Sequence, residues 1–148
     1  MPQTEMTCHS PATEQAPDGA TRIALIGSPN GGKTSIFNQL TGLHAKTGNY
    51  PGVTVSRSEG VARIHDHTFA IEDLPGTYSL SPISPDEQVV VDVLDGRMDQ
   101  VSAPDALVVV ADATALRRSL LLLAEVLPRH LPTAVVVTMT DELRRRQG

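Results

Sequence analysis

An open α/β sheet, mostly parallel and with helices on both faces, is predicted by three observations. Short apolar runs rich in β-branched residues alternate with helix-patterned segments. The first run, Arg22-Ile23-Ala24-Leu25-Ile26, leads into Gly27-Ser28-Pro29-Asn30-Gly31-Gly32-Lys33-Thr34, which fits G-x-x-x-x-G-K-[ST]. Asp73 and Asp141 end or follow later runs, so with Gly27 three separate loops fall at the carboxyl ends of strands. Ligands bind there on sheets of this kind.

Each element has its own signal. Residues 1–20 are polar and rich in Pro, Thr, Gln and Ser, and read as a disordered tail. A strand is predicted over 21–27 and a helix over 33–41, with apolar residues at 36, 37 and 40 and a C-terminal cap near Gly42. Residues 43–54 show no periodicity and read as a long, functional loop. Val55–Ile64 and Thr68–Asp73 contain β-formers around His65-Asp66-His67 and predict an antiparallel hairpin. Ser84-Pro85-Asp86-Glu87 carries a helix start, with Ser84 as N-cap, Pro85 in the first position and Glu87 closing a capping box. Val89, Val90, Val93 and Leu94 give that helix one apolar face, and Gly96 ends it. Asp105–Ala111 and Thr133–Thr138 read as buried parallel strands. Between them, about 115–129, Leu116, Leu120, Leu123 and Leu127 recur at helical spacing and predict a face packed on the sheet. A membrane-surface helix is the alternative for that stripe. A last helix begins at Glu142.

Bulk properties narrow the class. At 148 residues the chain suits one domain. The net charge of −5 gives no footing for nucleic acid, and Arg144-Arg145-Arg146 reads as a solvated helix face. A single cysteine, Cys8, forms no internal disulfide and suits a reducing compartment. No apolar run approaches the roughly 20 residues that span a bilayer, and no signal pattern opens the chain, so the expected location is the cytoplasm, without membrane contact by the chain itself. Two weak metal pairs stand out: Cys8-His9 in the tail, and His65 with His67. A loose tail and a polar hairpin tip are the simpler readings.

The chemistry concentrates in the glycine loop. Glycines allow close backbone approach, and successive N–H groups at a helix start form an anion cradle. Gly31, Gly32 and Ser35 belong to this cradle; Lys33 reaches the outer phosphates and the Thr34 hydroxyl suits Mg²⁺. Asp73-Leu74-Pro75-Gly76 adds a D-x-x-G turn. Its Asp would serve Mg²⁺ through a water, and the Gly76 N–H would sense the terminal phosphate.

With both motifs placed, the chain resembles the cytosolic G domain of the ferrous iron transport protein B family, FeoB. The matching stretches are GSPNGGKTSIFNQLTG (27–42), GNYPGVTVSRSEG (48–60), DLPGTYSLSPISPDE (73–87) and VVVTMTDE (135–142). The resemblance implies the phosphate-loop NTPase fold in its Ras-like GTPase form, as a G domain over 21–148 that lacks the last strand and helix. It implies GTP and GDP as ligands, with Mg²⁺ at Thr34, Thr54 and Asp73. Asn30 would hold K⁺, a cation that offsets charge building between the phosphates. Lys33, Thr54 and Gly76 would carry slow, K⁺-stimulated hydrolysis, with 43–54 and 74–85 as switch loops. Thr77 stands where Ras-like proteins place a water-orienting glutamine. In the family the G domain is tethered to a membrane transport domain at the cytoplasmic face of the inner membrane.

Two departures follow. The base-reading motif N-x-x-D is here Thr138-Met139-Thr140-Asp141. Asp141 still matches the guanine N1 and N2 donors, while Thr138 lacks an amide, so affinity is expected to fall by about 1 kcal/mol. The sequence also stops seven residues after Asp141 (148−141), which reads as a fragment with Val135-Val136-Val137 on an apolar sheet edge. A nucleotide-binding module without useful turnover, a generic phosphate-loop ATPase, and an oligomeric assembly stay open.

Overall fold

The structure is a computed structural model that describes residues 16–148, so the Cys8-His9 pair lies outside the described residues. Six strands form one sheet in the order β2-β3-β4-β1-β5-β6. The strands are β1 (Thr21–Gly27), β2 (Ala45–Asn49), β3 (Ser56–Ile64), β4 (His67–Asp73), β5 (Ala106–Asp112) and β6 (Thr133–Thr138). The helices are α1 (Lys33–Thr41), α2 (Pro85–Leu94), α3 (Leu116–Val126) and α4 (Thr140–Gln147). Pairs β4·β1, β1·β5 and β5·β6 are parallel; β2·β3 and β3·β4 are antiparallel. Helices cover both faces, as the alternation of runs implied.

The apolar periodicity builds two cores. On one face Phe37 of α1 packs with Leu25, Ala62 and Ile71, joined by Ile36 and Leu40. On the other, Val89, Val90 and Val93 of α2 and Leu122 and Val126 of α3 close over Ala24, Ile26, Leu107 and Val109. A large core residue such as Phe37 contributes about 3–5 kcal/mol relative to Ala. Helix ends follow their local chemistry. Gly42 caps α1 with φ 61°, and Ser84 Oγ accepts the Glu87 N–H at 3.3 Å. The Glu87 carboxylate reaches the Ile83 N–H at 3.0 Å, one residue earlier than the capping box predicted.

Three expectations need correction. Residues 43–54 are not all loop, because β2 pairs with β3 from Ala45↔Gly60 to Asn49↔Ser56. It is an exposed edge held by backbone bonds, so it carries no apolar pattern. The leucine stripe faces outward: Leu116 and Leu120 of α3, and Leu127 just past its end, are about half exposed, and of the four only Leu123 joins the core. The buried face is Ser119, Leu122 and Val126. β6 is not buried; Val135 and Val137 are exposed, since the strand has a neighbour on one side only. In line with the simpler reading, His65 stands at φ 54° in the polar tip between β3 and β4, and His67 opens β4.

Candidate functional site: a phosphate-loop cleft

The parallel register brings the informative loops to one end of the sheet. Leu25 is level with Asp73, Gly27 with Val110, and Asp112 with Thr138. A cleft of about 440 Å³ opens there, lined by Ser28, Pro29, Asn30, Gly32, Lys33, Thr34, Ser35, Gly76 and Met139. Its wall is the start of α1. The first helical bond is the Ile36 N–H to the Gly32 carbonyl at 3.2 Å. The amides of Lys33, Thr34 and Ser35 therefore precede any helical acceptor and form the positive end of the helix dipole. Gly32, at φ 86°, supplies the left-handed turn into α1.

Lys33 is buried and bonds to the Asp73 carboxylate and, at 2.6 Å, to the Leu74 carbonyl. Gly76 lies directly over Pro29; a Cβ there would come within 2.8–2.9 Å of Pro29 atoms. The Thr77 N–H donates to the Gly27 carbonyl at 2.9 Å, and Thr77 is fully buried with its hydroxyl on Ser79 O. It does not line the cleft. The next residues are tied to α3: the Leu80 N–H donates to the Glu125 carboxylate at 2.5 Å, and the Arg118 guanidinium sits 5.3 Å from the Tyr78 ring centroid.

The other predicted site residues stand as follows. Asn30 lines the cleft at φ 63° and is exposed. Gly31 is buried behind the loop, its carbonyl bonded by the Thr138 hydroxyl at 2.6 Å. Asp141 opens α4, exposed, with Arg145 at 2.9 Å. A hydrogen bond from the Glu142 backbone, and then Arg145, holds the Asp141 carboxyl below its ordinary value. Thr54 lies exposed in the turn closed by the Tyr50 N–H to the Val55 carbonyl at 2.9 Å, and is not among the cleft residues. Met139 is a cleft residue that sequence reasoning missed. Its φ of 59°, unusual for a non-glycine residue, marks a strained turn into α4. The basic run of α4 is locally paired, Arg145 with Asp141 and Glu142, and Arg146 with Glu142 at 3.3 Å.

The donor set suits a nucleotide diphosphate or triphosphate with a hard divalent cation. Free amides at the α1 start and the Lys33 ammonium are donors of the kind phosphate takes; the Thr34 hydroxyl and the Asp73 carboxylate are oxygen ligands of the kind Mg²⁺ takes. Among the described residues no group of three or more His, Cys, Asp or Glu side chains forms a separate metal cluster.

The arrangement is that of the phosphate-loop GTPase fold: a phosphate loop after β1, D-x-x-G after β4, and an acidic residue at the start of the helix after β6. More narrowly, the chain belongs to the ferrous iron transport protein B family, whose model matches residues 21–148. It is similar to the Fe(2+) transporter FeoB of Leptospira interrogans, with 45% identity over 126 residues, 85% of this chain and 17% of that protein. The Salmonella typhimurium Fe(2+) transporter FeoB is 43% identical over 84% of this chain and 16% of its own. The chain thus spans about a sixth of the length of the curated relatives it matches. The crystal structure of the T. maritima FeoB G domain superposes with a TM-score of 0.76 at 41% identity, covering 85% of this chain and 76% of that one. The GMPPNP form of the T. maritima cytosolic domain gives 0.77 at 39% identity, covering 86% and 48%.

Proposed function

We propose that this chain binds GTP and GDP with Mg²⁺ and hydrolyses GTP slowly, with K⁺ stimulation, as the cytoplasmic G domain of a ferrous iron uptake transporter. The observation that carries the reading is the phosphate-loop cleft, where Lys33, Thr34 and Gly76 converge beside the Asp73 carboxylate. The names of its relatives, Fe(2+) transporters, and the GMPPNP-bound neighbour support the nucleotide and the transport context.

The chain's own residues would divide the work. Amides of the α1 start and the Lys33 ammonium hold phosphate oxygens. Thr34 and Asp73 would hold Mg²⁺, joined by Thr54 once residues 52–54, exposed between the buried Tyr50 and Val55, turn toward the cleft. Bound Mg²⁺ neutralises charge on the β and γ phosphates. Asn30, already on the cleft rim, would hold K⁺, which adds positive charge where some GTPases place an arginine. Gly76, packed on Pro29, would read the terminal phosphate through its N–H and pass the signal along 77–80 to α3. Asp141 would accept from guanine N1 and N2, a pattern adenine lacks, and the Met139 side chain offers an apolar surface for the base.

Single-turnover GTP hydrolysis measured in K⁺ and in Na⁺ tests the proposal; equal, negligible rates in both salts defeat the enzyme reading. A nucleotide-binding module without turnover is the second reading. Thr77 is buried and neither it nor Thr54 lines the cleft, which favours this second reading.

A further inference from the structure

The Thr138 hydroxyl lies under the phosphate loop. Its Oγ1 is 2.6 Å from the Gly31 carbonyl and 3.4 Å from the Ala111 carbonyl. A hydroxyl has one proton, and the shorter contact takes it. The Thr138 Cβ and Cγ2 sit beneath Gly32, 3.4 Å from where a side chain there would begin. A residue at the end of β6 thus holds the two glycines of the loop across a sequence separation of 107 residues.

The geometry has a directional consequence. In a trans peptide the carbonyl and the following N–H point in opposite senses. Anchoring the Gly31 carbonyl down toward β6 therefore aims the Gly32 N–H away from β6. Gly32 lines the cleft, so that direction is the phosphate side. With its proton committed to Gly31, Thr138 offers no donor to a base.

We infer that Thr138 is a positioning residue for the phosphate loop: it sets the Gly31–Gly32 peptide that receives the β phosphate and leaves base selection to Asp141. This role rests on the cleft being a nucleotide site. It replaces the simple loss of affinity expected from the missing amide with a division of labour between the two ends of the motif.

Competition binding of GDP, GMP and ADP to the unaltered chain, T138V, T138C and T138S tests it. Valine keeps the shape and removes the hydroxyl; cysteine keeps a poor donor, and serine a good one. We expect T138V and T138C to weaken GDP roughly five- to tenfold, the worth of one hydrogen bond. GMP affinity and the GDP-to-ADP preference stay unchanged, and T138S retains GDP affinity. If T138V does not fold, T138C carries the same readout. Equal losses for GMP and GDP, or a changed GDP-to-ADP ratio, would place Thr138 at the base and overturn the inference. Unchanged GDP binding in both T138V and T138C overturns it as well. Failure of the unaltered chain to bind GDP is the distinct outcome that overturns the reading of the cleft itself.

Discussion

Lys33 and Asp73, the cation assigned to phosphate and the carboxylate assigned to Mg²⁺, are paired with each other at the floor of the cleft. Both side chains are close to nine-tenths buried, at 9% and 12% exposure. The Leu74 carbonyl takes a second proton of the ammonium at 2.6 Å. Each of these two buried charges thus compensates the other.

Breaking that pair from one side leaves a buried charge. Asp73→Asn is expected to lower the stability of the nucleotide-free chain by up to about 3 kcal/mol. Lys33→Met combined with Asp73→Asn should cost less than the sum of the single changes, because the pair is coupled. Denaturant unfolding of the four proteins reads the cycle; strict additivity would show that the contact carries no coupling.

Gly76 is fixed by a close approach. A methyl group there would sit 2.8–2.9 Å from the Pro29 backbone and ring, so the loop after β4 must move outward. Gly76→Ala should therefore bind GDP nearly as the unaltered chain does, yet lose most of any preference for a non-hydrolysable GTP analogue. Titration with both ligands checks this. A retained triphosphate preference would place the phosphate sensor elsewhere.

The phosphate loop, β1, α1 and the helix start at Ser84 were legible because each rests on local chemistry: a glycine turn, helical spacing, a cap. β2 was hidden because an exposed edge strand is specified by its partner's backbone, and in AKTGN only Ala45 is partly buried. Leu116 and Leu120 of α3, and Leu127 just after it, lie beside the truly buried positions 119, 122 and 126. Periodicity registers a broad apolar arc but not which edge of it meets the sheet. Thr138 was assigned a deficit from its side-chain class. Its bond to Gly31 depends on the parallel pairing of β5 with β6, which no local pattern carries.

Asp141 should govern the choice of base. Asp141→Asn removes one acceptor and presents a donor instead, so the preference for GDP over ADP should largely vanish. The folded-state value of the carboxyl is depressed, first by the Glu142 N–H and then by Arg145. Its contribution is thus present above the unfolded value of 3.8 and lost only as pH falls through the lower folded value. Guanine preference should accordingly be flat from pH 7 to pH 5. A decline across that interval would show that another group controls base recognition.

Asn30 separates backbone from side-chain roles. It holds φ 63°, a conformation that costs most residues about 1–2 kcal/mol and glycine nothing. Asn30→Gly keeps the loop and removes the amide. The variant should bind GDP normally while its hydrolysis rates in K⁺ and Na⁺ become equal. Persisting K⁺ stimulation would place the monovalent ion away from Asn30.

Tyr50 couples the Thr54 loop to the sheet and should make the fold sensitive to alkali. The Tyr50 hydroxyl donates to Glu72 at 3.1 Å, Arg57 Nε donates to the same oxygen at 2.8 Å, and the Arg57 guanidinium lies 5.5 Å from the tyrosine ring centroid. Burial first, and then the Glu72 charge, raises the phenol far above its ordinary value of 10.0. The folded state keeps the proton that the unfolded chain releases. The stabilising contribution is whole below pH 10 and declines above it, by about 1.4 kcal/mol for each pH unit. Tyr50→Phe cannot ionise, so its stability should lose that slope, while near neutral pH it should be lower by only about 1 kcal/mol, because Glu72 retains Arg57. Urea unfolding at pH 7, 10 and 11 compares the two. Parallel losses above pH 10 would show that Tyr50 is not the group whose ionisation is linked to unfolding.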